Sequence, residues 1–443
     1  MNARHVLRLA FAAIAATGAG AALATTTEIG TGSDFRTIMQ GLHAGDTLIL
    51  DGGVYSFSGY FELDLAGNGA APIVIRAQTG QQPVIQYLGT DQNIVNFNNA
   101  QFLIIDGIEF SGGSRGLRFT GGHDVTVRNC HVHGTDANAI SANDDAQDYV
   151  RFSFVHNEID HTGATGEGFY LGCNNNACQF HDSLVANNYI HDLNGPTITQ
   201  GDGIEIKKGS YANIVRDNVI HDTGYPGITL YDVAGNGAPN IIERNIVWNS
   251  ADNGIQVTAD AIVRNNIVLG AAASAFASNN VQGGSAANLV IVNNTLLMGS
   301  GNGIKLNAVS GTVTIANNAI YAPNGRAIDA NGTLGGITAL GNAGQGALSG
   351  VGNGFSAGGN LVNDFVGASL GGVPPQNPIP KSGGLLAGTA NASFLPTDDF
   401  DGHPRGAQHD IGAYRANAGG TPGWTIVAGF KVLDEIFFDG FGA

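Results

Sequence analysis

From about residue 138 to residue 330 the chain repeats one short pattern. The runs "NAISA", "EGFYL", "DGIEI", "PGITL", "NGIQV", "SAFAS", "NGIKL" and "RAIDA" each alternate apolar with variable residues. That period of two marks a half-buried strand. Between them lies a second family of runs: "VHNEIDH", "ANNYIHD", "RDNVIHD", "ERNIVWN", "RNNIVLG", "VNNTLLM" and "ANNAIYA". These align on Asn157, Asn188, Asn218, Asn245, Asn266, Asn294 and Asn318, with Cys130 in the same slot of "RNCHVHG". The asparagines recur every 21 to 31 residues. Short strands at such a period predict an all-β chain folded as a β-solenoid. No turn can bury its apolar face alone, so turns stacked about 4.8 Å apart build one continuous core. The asparagine column is read as structural: a side-chain amide in an internal turn can hydrogen-bond to the turns above and below.

The ends differ from the middle. Residues 1–24 have a basic start (Arg4, Arg8), an Ala- and Leu-rich run and an Ala22-Leu23-Ala24 cleavage pattern, the layout of a secretory signal peptide. The expected product is exported, to the medium, periplasm or cell surface, and has no membrane span. In "SDFRTIMQGLHAGD", Phe35, Ile38, Met39 and Leu42 fall at helical spacing after Ser33 and Asp34, which predicts a capping helix over 34–44. The solenoid domain is assigned to 25–415, with irregular final coils and loops over 335–395. The segment "DDFDGHPRGAQHDIGAYRA" is expected to close the stack, and 416–443 is left as a tail.

Composition narrows the partners. Without Arg4 and Arg8 the chain has 17 Lys and Arg against 36 Asp and Glu, a formal charge of −19. A general basic field for nucleic acid is therefore excluded. An acidic polysaccharide would also be repelled unless a local basic group or a cation reverses the sign. Cys173 and Cys178 in "GCNNNAC" suit a loop disulfide, Cys130 a buried thiol, and no cysteine spacing suggests zinc. The chain is read as a monomer.

Against that low-charge background, "GDGIEIKKGSYANIVRDN" gathers Asp202, Glu205, Lys207, Lys208 and Arg216. With Ile204 and Ile206 inward, Glu205 and Lys207 point outward. Stacking then predicts an outer column Arg118, Ser141, Tyr170, Glu205, Thr229, Gln256, and beside it Thr120, Asn143, Lys207, Tyr231, Thr258. A third column, before each strand, carries Asn138, Glu167, Asp202 and Pro226. The resulting strip suits an extended sugar chain. Glu167, Asp202 and Glu205 are candidate ligands for a cation such as Ca2+, since carboxylates that close need a shared proton or a metal. Lys207 is the candidate base, if neighbouring charge lowers its pKa, and Tyr231 the candidate acid. Arg118, Asn143, Tyr170, Lys208, Arg216 and Gln256 are candidate substrate contacts. His133, His191 and His221 share one alignment slot, with His161 nearby, and are read as stacked turn residues rather than a metal site.

The runs "AGDTLILDGGVY", "APIVIRAQTG" and "LIIDGIEFSGG", with "GEGFYLG" and "SLVANNYIHD" farther on, resemble the right-handed parallel β-helix proteins of the pectate lyase-like superfamily. Within it the chain is most similar to the family of alginate lyases and chondroitinase B, over roughly Thr37 to Asn245. The resemblance implies a right-handed parallel β-helix and a calcium-assisted β-elimination, in which a lysine removes the C5 proton of a uronate and an arginine assists. Asp202, five residues before Lys207, maps that lysine to Lys207. Gln200 stands where a second acidic residue is expected, and Tyr231 in "GITLY" stands where the arginine is expected. "GDGIEIKKG" also resembles the "GDDCIAIKSG" segment of β-helix polygalacturonases, with Gly203 in place of the second aspartate and Pro226-Gly227 in place of its His-Gly. Three functions follow, in order: elimination on an acidic polysaccharide, carbohydrate binding without cleavage, and hydrolysis by Glu167 and Asp202 at retaining-glycosidase separation.

Overall fold

A computed structural model describes residues 24–144, 147–233, 235–280, 284–416 and 423–433; the expected signal peptide lies outside them except for Ala24. The chain is a parallel β-solenoid of about 11 turns. Each turn contributes to three sheets in a fixed order, seen from residue 131 onward. His131–His133 lies in one sheet, Ile140–Ala142 in the next and Ser153–Val155 in the third, before Glu158–Asp160 pairs back on His131–His133. These pairings are parallel, and the antiparallel pair Phe365–Gly367 with Asn377–Pro380 lies outside the solenoid. Among the described residues no helix is long and apolar enough to cross a membrane.

Period-two alternation builds the core. In the middle sheet Ile140, Phe169, Ile204, Ile228 and Ile255 stand in register, one per turn, all at most 1% exposed. Burying each such side chain stabilises the fold by about 1.5–3 kcal/mol. At the N-terminal end a helix, Phe35–Gln40, starts from an Asp34 cap that accepts hydrogen bonds from the Thr37 amide and hydroxyl. Phe35 and Met39 are buried, Phe35 edge-on against Tyr55, Phe57 and Phe61; Gly41 ends the helix before Leu42.

The asparagine column is a continuous ladder. Asn218 Nδ2 donates to Val185 O (2.9 Å) and to Asn245 Oδ1 (2.9 Å), while its own Oδ1 accepts from the Asn188 amide and side chain. The pattern repeats from Asn157 and continues one turn past the sequence alignment, to Asn342. The preceding residue adopts a left-handed conformation at turn after turn, with φ 58° at Asp217 and 56° at Arg244. That residue bends the chain so that the asparagine points inward. A second ladder, Ser183 to Asn213 to Asn240, runs at another corner.

The C-terminal region differs from expectation. Regular strands persist to Ser349, and the segment expected to close the stack packs along its flank. Outward residues Val219, Ile246, Ile267, Leu297 and Tyr321 are apolar, so this side of the solenoid needs a cover. Phe365, Phe400, Ile411, Tyr414 and Ile426 supply it. Buried Arg405 fastens the cover by donating to Asn265 Oδ1 and to the Gly412 and Ala413 carbonyls. Residues 423–433, within the expected tail, join the same layer. Lys431 Nζ meets Asp217 Oδ1 at 3.0 Å and lies over the Phe400 ring.

The ladder supplies a stability prediction. Asn218→Ala strips partners from buried groups on the two adjoining turns, at Val185, Asn188 and Asn245, each costing about 1–3 kcal/mol when left unsatisfied. The urea unfolding midpoint is expected to fall by a corresponding amount, whereas Asn68→Ala, at an exposed turn, should change it little.

Candidate active site

The outer columns form as the spacing predicts. Arg118, Ser141, Tyr170, Glu205, Thr229 and Gln256 are successive register partners on the middle sheet. Glu167 and Asp202 sit on adjacent turns, the Gly168 amide donating to Asp202 O. The sheet's pleat and its stacking thus bring residues as far apart in sequence as Glu167 and Tyr231 to one spot.

At that spot the polar side chains are sunk below the surface. Glu167 and Glu205 are each 1% exposed and Asp202 and Lys207 each 3%. Lys207 Nζ contacts Glu205 Oε1 at 2.5 Å. It also lies 4.3 Å from the Tyr170 ring centre and 4.7 Å from that of Tyr231, so the ammonium is held between two aromatic faces. Tyr170 and Tyr231 are half-buried and carry the cluster toward solvent. Asp202 Oδ1 accepts from Thr229 Oγ1 at 2.6 Å, and Asn138 Nδ2 donates to Glu167 Oε2. Glu205 Oε2 is buried without a hydrogen-bond partner, and Tyr231 is among the neighbours that favour the ionised Glu205 carboxyl.

Three carboxyls and one ammonium out of water shift one another's protons. Burial, then the Glu205 and Glu167 charges, push Asp202 well above the usual carboxylate range. Burial also raises Glu205, against the opposing pull of Lys207. Burial works against the charge on Lys207, but Glu205 and Tyr170 outweigh it and the pKa rises. The low-pKa lysine that a free base requires is therefore not what the structure holds. Glu205, two residues away on the same strand, is the reason. Burial and the acidic neighbours push the Tyr231 phenol far up. Tyr170 is also raised by burial, but there Lys207 is the leading opposing influence.

The remaining expected residues divide. Arg118 reaches Asp144 Oδ2 at 3.1 Å on the near side of the strip. Arg115, absent from the expected columns, adds a second guanidinium through Asn138 Oδ1 at 3.0 Å. Asn143 lies half-buried one turn before Gly172, Lys208 pairs with Asp232 at 3.6 Å, and Gln256 accepts from Asn253 and Asn279 two turns past Glu205. Arg216 belongs to a different sheet, in register with Ala186 and Glu243, and pairs with Asp217. Its proximity to Lys207 in sequence is undone by the corner between them. The proposed calcium ligands are near one another but not gathered. Each carboxylate is held by a protein donor (Asn138, Thr229 or Lys207), and among the described residues the compact triads of metal-ligating atoms lie elsewhere, around His131. These three residues as arranged do not fit a preformed calcium cage. Cys173 and Cys178 are joined in a disulfide beside the strip, and the buried Cys130 thiol is pushed up to about 12 by burial.

A family model described as "Right handed beta helix region" matches residues 181–268. No curated protein matches the sequence. Among solved structures, that of XylC with xylose is 10% identical, covering 89% of this chain and 98% of its own, with TM-score 0.57. Pectate lyase Pel9A is 14% identical over 89% of this chain and 97% of its own, with TM-score 0.52. An alginate lyase from Paenibacillus sp. str. FPU-7 is 18% identical over 74% and 100%, with TM-score 0.47. The likeness is one of fold: these are right-handed β-helix proteins, as this chain is.

Asp202 provides a pH test with a definite sign. A folded pKa above the unfolded one means the native state keeps a proton that the unfolded chain releases, so this contribution falls as pH rises above the ordinary carboxyl value. Asp202→Asn retains an acceptor for Thr229 and removes the ionisable group. Its denaturant midpoint is expected to decline less than wild type between mildly acidic and alkaline pH.

Proposed function

We propose that this chain is an exported enzyme that cleaves a uronate-containing polysaccharide by β-elimination at the Lys207 cluster. The observation that carries the reading is the meeting of Lys207 with two phenols, on a strip that carries Arg118 farther along, in a chain whose overall charge is strongly negative. Arg115, Arg118 and Lys208 offer local positive charge to uronate carboxylates, and the Tyr170 and Tyr231 rings offer faces for sugar. Two solved structures of the same fold carry carbohydrate in their descriptions, one as a pectate lyase and one as a complex with xylose.

In elimination the C5 proton leaves, the C4–O bond breaks, a C4–C5 double bond forms and the departing oxygen takes a proton. Lys207, expected as the base, is better suited to stabilise the negative charge that develops beside it, because Glu205 keeps its ammonium protonated. Tyr170 is assigned the proton transfer on position: it reaches the surface beside Lys207, whose charge opposes but does not cancel the upward push of burial on its phenol. Tyr231, held strongly protonated, serves as proton donor to the leaving oxygen. Glu167, Asp202 and Glu205 become ligands for a calcium ion only by leaving their present donors, so no step is assigned to one.

One observation favours a second reading. Burial pushes Asp202 to hold its proton, and it stands on the turn next to Glu167; a pair of carboxyls on adjacent turns is the equipment of acid–base hydrolysis.

The test is to incubate purified protein with alginate, pectate and glycosaminoglycans, with calcium or with chelator, and follow the ultraviolet absorbance of unsaturated uronate. Lys207→Ala and Tyr170→Phe are each expected to lower the rate by about 100-fold or more without unfolding the protein. New reducing ends without that absorbance would select hydrolysis. Binding without either product would leave a carbohydrate-binding protein. Unchanged elimination in Lys207→Ala would remove this site from the reaction.

A further inference from the structure

We infer that a second face of the solenoid holds a divalent transition-metal site, built from His131, Glu158, Asp160 and His191 on three successive turns. The residues are register neighbours in the sheet preceding the one that carries Lys207: His131 pairs with Glu158, and Asp160 with His191. Their ligand atoms converge. His131 Nε2 is 2.6 Å from Asp160 Oδ2, and His191 Nε2 is 3.3 Å from Glu158 Oε1 and 3.9 Å from Asp160 Oδ2. The ligand atoms of His131, Glu158 and Asp160 all lie within 4.8 Å of one another. A tetrahedral zinc ion with bonds of about 2.0–2.2 Å sets its ligands about 3.3 Å apart, within the range these contacts span.

His191 Nδ1 is 2.8 Å from Asp192 Oδ2, a contact that requires the proton on Nδ1. In a neutral ring Nε2 then turns a lone pair toward two carboxylate oxygens, a clash that a second proton or a bound cation relieves. A cation among them converts the clash into coordination. A carboxylate on the far nitrogen of an imidazole is also the arrangement that orients histidine ligands to zinc. Imidazole donors exclude a purely oxygen-seeking ion such as calcium and suit zinc.

The neighbouring groups lack these features. Glu109, which with His131 and His133 forms the other compact triad, is engaged by His133 and by Gln82, as Asp160 is by His131 and His161; what sets the Asp160 group apart is the Asp192 carboxylate behind His191. His221 is satisfied as a neutral ring, between Asp222 on Nδ1 and the Tyr189 hydroxyl on Nε2. The stacked-histidine reading holds for His191, His221 and Trp248 as rings, while Nε2 of His191 turns to Glu158 and Asp160. Solvent reaches the site, with His131 27% and Glu158 36% exposed at the side chain.

The experiment is a calorimetric titration of metal-stripped, purified protein with Zn2+, with Co2+ as a spectroscopic substitute. One equivalent is expected to bind, to give the visible absorption of tetrahedral Co2+ and to raise the melting temperature. His191→Gln and Asp160→Asn should each weaken binding more than tenfold, and Asp192→Asn by about 10- to 100-fold. His221→Gln should bind as wild type. If Asp160→Asn does not fold, His191→Gln and Asp192→Asn still decide. Absence of saturable binding overturns the inference, as does wild-type affinity in His191→Gln or a loss confined to His133→Gln. Calorimetry reports the metal alone, so the result stands apart from whether the Lys207 cluster cleaves anything.

Discussion

Everything distinctive here depends on parallel turns stacking in register at the spacing of a β-sheet. Backbone hydrogen bonds set that spacing, and the asparagine ladder keeps each turn from slipping against the next. A one-residue slip would exchange inward and outward faces and destroy core and surface together. The constraint has a chemical consequence. Any residue type repeated at one position of the turn becomes a column with side chains near 5 Å apart, whether its members attract or repel. Apolar columns become core, amide columns become ladders, and columns of mixed charge become sites.

That logic explains how much was legible. Periodicity exposes which residues share a column, so the meeting of Glu167, Asp202, Tyr170, Lys207 and Tyr231 can be read without coordinates. It does not expose what each side chain does once there. Lys207 reaches back two residues along its own strand to Glu205, a choice of side-chain direction that alternation leaves open. Arg216 fails for another reason: a corner separates it from Lys207, and corners of variable length hide the change of sheet. Arg115 lies in the loop before its strand, outside the repeat that defines columns. The second ladder at Asn213 and Asn240 escapes notice because its first member is a serine.

The flank cover was invisible for a different physical reason. Val219, Ile246 and Ile267 resemble any strand residues that face a core, and alternation with their neighbours is weak because both faces are buried. What covers them, within residues 365–416 and 423–426, has no period of its own. Its attachment rests on single long-range contacts such as Arg405 to Asn265 and Lys431 to Asp217. Sequence repeats carry the lattice, and the exceptions to the lattice are carried by individual charged residues.

The two mixed-charge sites differ in how they meet the same electrostatic demand. Around Lys207, three buried carboxyls exceed the one ammonium, and the excess is relieved by holding a proton on Asp202 and by neutral donors from Asn138 and Thr229. Such an arrangement is costly to bury. A stability role alone would be met more cheaply by the isoleucines that fill the inward column beside it. Around Asp160 the groups lie nearer to solvent, and histidines supply the compensating protons or yield their place to a metal. Stacking makes both clusters unavoidable once those residues occupy their columns. The chemistry follows from which column is sealed beneath tyrosines and which stays open to ions.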